Sequence, residues 1–266
     1  MYVRLSSNTA NLLRMLVDMW YCAPMATISV IGTPIGNLED ITLRALKSLA
    51  GADLILCEDT RMTKRLLDRH GISRPTKSYH AHSKLARVDE ILGLLKTGKN
   101  LALVSDAGTP GISDPGSELL RRIRQELANE IKSGEVRIET IPGPSALTAA
   151  LSIAGVPCTD FTFLGFLPHK KGRETLFREI AASERTVVFY ESPHRIMKTL
   201  ESLGEHLNGG SAGHEPAFTP KLVTICRELT KVFEEVVQGT AKEVRDYFEE
   251  HADKVKGEFV VIVSAQ

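Results

Sequence analysis

Short apolar runs rich in β-branched residues alternate along the chain with stretches whose apolar positions recur every three to four residues. The runs at 27–31, 53–57, 100–105 and 136–141 predict strands. The amphipathic stretches at 41–49, 60–70, 85–96, 115–127 and 145–154 predict helices. Strand and helix in alternation imply an α/β fold with a mostly parallel sheet and helices on its faces. After Gly155-Val156-Pro157 the texture changes. Strands are expected at 161–164, 186–190, 222–226, 232–238 and 258–264, and helices at 173–182, 193–206 and 241–251. Residues 228–231 are few enough to join two antiparallel strands, so the second sheet is expected to be mixed. The chain therefore reads as two α/β domains, 25–157 and 158–266. A segment at 1–24, before the first strong pattern, is expected to be a weakly ordered extension. Residues 208–220 contain Gly and Pro without periodicity and read as a surface loop.

Composition narrows the classes. Among 266 residues, 33 basic side chains balance 33 acidic ones. That excludes a polycationic nucleic-acid coat and an acidic disordered tail, and leaves a local basic patch as the route to an anionic partner. No run approaches the ~18 apolar residues of a membrane span. The nearest, 12–23, is broken by Arg14 and Asp18, which also makes it a poor signal peptide. Cys22, Cys57, Cys158 and Cys226 lie far apart with no C-x-x-C spacing. This argues against a zinc site or a disulfide scaffold and fits a reducing, cytoplasmic setting.

In open α/β sheets ligands bind at the carboxyl ends of strands, so the chemistry is sought there. After the first strand come Gly32-Thr33-Pro34-Ile35-Gly36-Asn37, which match neither the dinucleotide nor the P-loop fingerprint. After 100–105 come Asp106 to Gly116, with Gly108, Gly111 and Gly116. Asp114 can cap the next helix, with Pro115 at its first position. Capping leaves Asp106 and the glycines for a ligand loop, since glycine lets backbone approach a ligand closely. After 136–141 come Pro142-Gly143-Pro144-Ser145, where Ser145 is placed to cap a helix. Glu58-Asp59-Thr60-Arg61 and Glu191-Ser192-Pro193-His194-Arg195 put charges at two further strand ends. Ser192-Pro193 reads as a helix start. His80 and His82 alternate on an extended segment and share a face, without an evident third metal ligand. Arg121, Arg122 and Arg124 follow Glu118 by about one helical turn and read as a salt-bridged surface. The stretch His169-Lys170-Lys171-Gly172-Arg173 has no acid before Glu174 and reads as a phosphate-contacting loop.

Together, residues 33–42, 58–61, 105–116, 142–147, 191–195 and 226–231 resemble the RsmI-type small-subunit ribosomal RNA methyltransferases of the tetrapyrrole-methylase superfamily. The likeness runs in order from about Met25 to the C-terminus. It departs at Gly32, where alanine is common, and at Ser83-Lys84 after His82, where Asn-Glu is more usual. It departs again at Leu164, where an acid is usual, and in the connections 130–135 and 208–220, which are longer.

The resemblance implies S-adenosylmethionine (SAM) held between two α/β domains and a homodimer. It implies methyl transfer to the ribose 2′-oxygen of a cytidine near the decoding centre of small-subunit rRNA. Carried over residue by residue, Pro34, Asp106, Thr109, Ser145, Ala146, Tyr190, Arg227 and Glu258 are expected at the cofactor. The candidates for a proton acceptor are Asp59, Glu58, Glu191 and His82, unranked. Arg61, Lys64, Arg65, Lys170, Lys171, Arg173 and Arg195 are expected on the RNA side, where Arg61 and Arg195 either clamp phosphates or pair with the neighbouring carboxylates. No metal is implied, because a sulfonium is already an activated methyl donor. Two other readings remain open: methylation of a tetrapyrrole or another small molecule on the same fold, and a non-catalytic RNA-binding assembly factor.

Overall fold

The computed structural model describes residues 25–80, 85–208 and 221–265. The 1–24 extension, His82 and nearly all of the 208–220 connection lie outside the described residues. The chain divides into two compact units, one of residues up to 33 and 41–143, the other of 34–40 and 144–266.

The first unit runs β1 (Ala26–Ile31), α1 (Leu43–Gly51), β2 (Leu54–Cys57), α2 (Thr60–Arg69), β3 (Thr76–Ser78) and α3 (Leu85–Lys96). It continues with β4 (Leu101–Leu103), α4 (Gly116–Glu126), α5 (Ala128–Ser133) and β5 (Val136–Ile141). The strand order is β3-β2-β4-β1-β5, and every pairing is parallel. The period of two sorts the strand side chains onto two covered faces. Ile28, Val30, Leu56, Leu101 and Leu103 meet Ile91, Leu95, Leu119 and Ile123. Ile31, Ile55, Ala102 and Val104 meet Ala45, Leu49, Leu66 and Leu67. Local chemistry starts the helices: Thr42 Oγ1 accepts from Ala45 N at 3.0 Å ahead of α1, and Asp59 caps α2.

The second unit runs α6 (Ala146–Ile153), β6 (Phe161–Phe166), α7 (Arg173–Ala182), β7 (Thr186–Glu191) and α8 (Ile196–Asn208). It ends with β8 (Val223–Arg227), β9 (Glu235–Gly239), α9 (Ala241–Glu250) and β10 (Phe259–Val263). The order is β6-β7-β10-β8-β9, with β6–β7 parallel and the other pairs antiparallel, so this sheet is mixed as expected. Phe177, Leu200, Leu203, Val244 and Phe248 cover one face. The other face, with Val188, Cys226, Val260 and Ile262, takes Ala150, Leu151 and Ala154 of α6 together with Ile35.

Several local expectations change. The units divide at Gly143, whereas the sequence pattern places the line at 157/158; α6 goes with the second sheet because its apolar face is buried there. β3 is too short and polar to show as a periodic run. The helix expected to end at 127 is followed by α5, which stops at Gly134 in the left-handed conformation (φ 84°). Pro193 does not open a helix: Ser192 O accepts from both Arg195 N and Ile196 N at 3.0 Å, so 193–195 form a turn before α8. β9 begins three residues later than expected, because Glu234 N closes a turn on Lys231 O. Among the described residues no helix is long and apolar enough to cross a membrane.

Candidate active site

In the first sheet the connection after β1 leads toward β2 on one side, and the connection after β4 leads to β5 on the other. The crevice outside the carboxyl ends of β1 and β4 is therefore the topological switch point, where open α/β sheets bind ligands. Three loops meet there by backbone contact. Thr33 and Gly108 pair as an isolated bridge, with Thr33 N donating to Gly108 O at 2.9 Å and Gly108 N to Thr33 O at 3.1 Å. A Cβ on Gly143 would lie 2.6 Å from Gly32 O, so these two glycines are required by each other.

The loop from Ser105 to Gly116 is folded by its own polar groups. Asp114 accepts from Gly111 N at 2.8 Å and Gly116 N at 2.7 Å, while Ser105 Oγ donates to Ala107 O at 3.2 Å. Gly108 and Gly111 take positive φ (80° and 88°), a conformation that favours glycine. Pro115 sits one position earlier than expected, at the N-cap, and the Asp114 carboxylate still holds the first helical N–H. Asp106 is left exposed, as are Ala107, Ile112 and Ser113.

Asp106 and the residues after β2 interlock. Asp59 N donates to Asp106 Oδ1 at 2.8 Å, and Asp106 N donates to Glu58 Oε1 at 3.3 Å. Glu58, Asp59, Arg61, Ser78, His80 and Asp106 border one depression of about 420 Å³. The adjacent acids Glu58 and Asp59 behave oppositely. Burial, reinforced by the Asp106 charge, raises Glu58 above its ordinary 4.5. Asp59 receives Arg61 Nη2 at 2.6 Å and Arg61 N at 2.8 Å, and these bonds lower it to about 2.

In the second unit the end of β7 carries a buried cluster. Glu191 is only 2% exposed and pairs with Arg173 Nη2 at 3.1 Å and Arg195 Nη2 at 2.6 Å. Thr199 Oγ1 donates to Glu191 Oε2 at 2.7 Å. This corrects two expectations. Glu191 has its lone pairs occupied away from solvent, which suits an anchor rather than a proton acceptor. Arg173 is 9% exposed and is withdrawn from the basic loop. Arg195 pairs with the carboxylate, the second of the two roles expected of it.

The other expected site residues are placed as follows. Pro34 is buried at the start of the 34–40 segment. Thr109 lies half-buried in the Asp106 loop. Ser145 occupies the N-cap of α6, ahead of Ala146, but its side chain makes no capping bond. Tyr190 is half-buried against Phe163 and Phe166. Arg227 is buried, with Nε 3.4 Å from Glu235 Oε2, which makes it part of the sheet's own packing rather than a free ligand group. Glu258 is exposed and pairs with Lys231 at 2.7 Å. Arg61, Lys64 and Arg65 are exposed on α2, and Lys170 and Lys171 are exposed after β6. Ser78, at the depression, was not foreseen because β3 was not.

The chain belongs to the tetrapyrrole (corrin/porphyrin) methylases, whose family pattern matches residues 27–245. It is 41% identical over 242 residues to the ribosomal RNA small subunit methyltransferase I of Thermotoga maritima, a match that covers 91% of this chain and 100% of that protein. Within the family it therefore stands with the small-subunit ribosomal RNA methyltransferases I. Solved structures share the fold. The methyltransferase CobJ is 21% identical with a TM-score of 0.61, covering 90% of this chain and 94% of its own. The uroporphyrin-III C-methyl transferase of Thermus thermophilus, complexed with S-adenyl homocysteine, is 17% identical with a TM-score of 0.54, covering 90% and 97%.

Proposed function

We propose that this chain transfers the methyl group of SAM to the ribose 2′-hydroxyl of a cytidine in small-subunit rRNA near the decoding centre. The observation that carries the reading is the interlock of Glu58, Asp59 and Asp106 at the carboxyl ends of β2 and β4, beside the β1/β4 switch point: one depression holds an exposed carboxylate and a proton acceptor of raised basicity. The donor set fits SAM. An exposed acid with one oxygen already fixed by Asp59 N–H suits a cationic ligand bearing ammonium and hydroxyl groups. Backbone groups of the Asp106–Thr109 turn lie beside it. When bound, SAM supplies an activated methyl group on sulfur.

The chain's own residues do the rest. Asp106 and Thr109 hold the cofactor. Glu58 accepts the proton of the attacking 2′-hydroxyl, because its raised pKa makes it a better base than Asp59, whose lone pairs are committed to Arg61. Asp59 holds Arg61 and α2 in place, so that Lys64 and Arg65 present their charges to phosphate. Positioning is a large share of a displacement of this kind. The chain works in a reducing cytoplasm, which its scattered cysteines fit, and as a homodimer, as its family likeness implies.

The test offers purified protein with methyl-labelled SAM to small ribosomal subunits and separately to a porphyrinogen, and maps the labelled atom. A labelled cytidine 2′-oxygen is expected. Label only in the porphyrinogen would reverse the substrate, and label in neither would leave a binding factor.

A further inference from the structure

Phe166 is 58% exposed at the end of β6. A lone exposed apolar side chain needs no explanation, but three features set this one apart. First, it is aimed. The β6–β7 register shifts between Phe163 and Phe166, and Gly165 takes φ 62° there, so a bulge turns the ring. Second, it is backed. Its ring centroid lies 5.4 Å from that of Tyr190, which Phe163 meets edge-on at 5.0 Å, so it stands on an aromatic base with little freedom to lose. Third, the backbone that follows is pinned from beneath. Arg195 Nη1 donates to Leu167 O at 2.8 Å and Arg173 Nη1 donates to Pro168 O at 3.1 Å, with both guanidinium groups held on buried Glu191. Beyond the pin, Lys170 and Lys171 are exposed and meet no acid among the described residues.

A fixed aromatic face with two unpaired cations four and five residues on is the combination that takes an unstacked nucleotide: the base lies on the ring and the phosphates lie on the ammonium groups. We propose that Phe166, Lys170 and Lys171 form such a subsite for an unpaired nucleotide of the RNA substrate, with Arg173, Arg195 and Glu191 as its positioning residues. The proposal rests on the rRNA reading above.

The experiment measures the affinity of small-subunit rRNA for wild type, F166L, F166W and the K170A/K171A double variant across a salt series. SAM affinity, melting temperature and sedimentation are followed alongside. F166L is expected to weaken RNA binding by about 5- to 150-fold, the span of base–aromatic stacking, with an unchanged salt slope. F166W is expected to bind like wild type. K170A/K171A is expected to flatten the slope by roughly 0.7 per lost cation on a single strand. SAM affinity is expected to stay the same in all. An active wild type whose F166L variant binds rRNA equally well overturns the subsite alone. So does F166L losing SAM affinity, which would put the ring at the cofactor, or F166L changing only sedimentation, which would put it at a protein interface. A wild type that neither binds nor methylates rRNA overturns the activity and the subsite together.

Discussion

At the scale of single residues, the contrast between Glu58 and Asp59 decides the acid–base assignment. Both follow the same strand, yet one is raised by burial and the other drawn down to about 2 by Arg61. Glu58→Gln should lower kcat by about 10²–10⁴-fold and leave SAM affinity unchanged, as calorimetry would show. In wild type the acid limb of the rate profile should lie above 4.5, since the base acts only when deprotonated. Its folded-state pKa is raised, so the protonated form is favoured by folding and that stability is lost as pH rises through the folded value. Glu58→Gln should therefore melt higher than wild type at pH 7 and equally below 4.5. Arg61→Ala should return Asp59 from about 2 toward 3.8, read from its carboxyl carbon shift. Glu191→Ala should destabilise by about 3–5 kcal/mol, because it strands two guanidinium groups, one of them buried. Of that cluster, only the i,i+4 spacing of Glu191 and Arg195 was there to be read along the chain. Arg173 lies eighteen residues before Glu191 in sequence and appears as a cation in a basic run, so only the parallel pairing of β6 with β7 shows what it does.

At the scale of elements, the strands and most helices were legible because their apolar positions keep periods of two or about 3.6. The features that escaped are those without a period: the three-residue β3, the turn at 193–195 and the bulge in β6. The Asp106–Gly116 loop shows how composition can suggest a ligand loop and still misassign its parts. Its glycines and Asp114 largely hold the loop itself. Asp114→Ala removes the acceptor for two backbone N–H groups. It should cost about 1.5–3 kcal/mol, the range for bonds to a charged group, and should also weaken SAM binding by loosening the loop. Asp106→Ala removes the acceptor for one backbone N–H, that of Asp59, at an exposed side chain, so it should lower the melting temperature less than Asp114→Ala while still weakening SAM binding. A calorimetric titration and a thermal melt on each variant separate the two roles.

At the scale of the whole molecule, zero net charge leaves RNA affinity to local features, and the division into units follows packing rather than sequence order. Residues 34–40 lie between β1 and α1 in sequence yet belong to the second unit. They are fastened there at several points. Ile35 is 8% exposed within the cluster of Val188, Cys226 and Val260. Asn37 N donates to Thr230 Oγ1 at 3.1 Å, and a Cβ on Gly36 would lie 3.0 Å from Leu229 O. The turn that receives them holds Glu228 and Thr230 at positive φ (50° and 65°), braced by Lys231 Nζ on Glu228 at 2.8 Å and on Glu258 at 2.7 Å. None of this was legible in the 33–42 stretch, whose apolar residues carry no period that names the sheet they serve. Ile35→Ala removes a buried side chain and should cost about 2–5 kcal/mol. The loss should appear where the contacts are, not where the neighbours in sequence are. Native-state hydrogen exchange should show faster opening of β7, β8 and β10, with β1, β2, β4 and β5 close to wild type under conditions where only local and single-unit opening is populated. Equal loss of protection in the first sheet would mean that Ile35 stabilises that sheet, and that the chain is divided by sequence order after all.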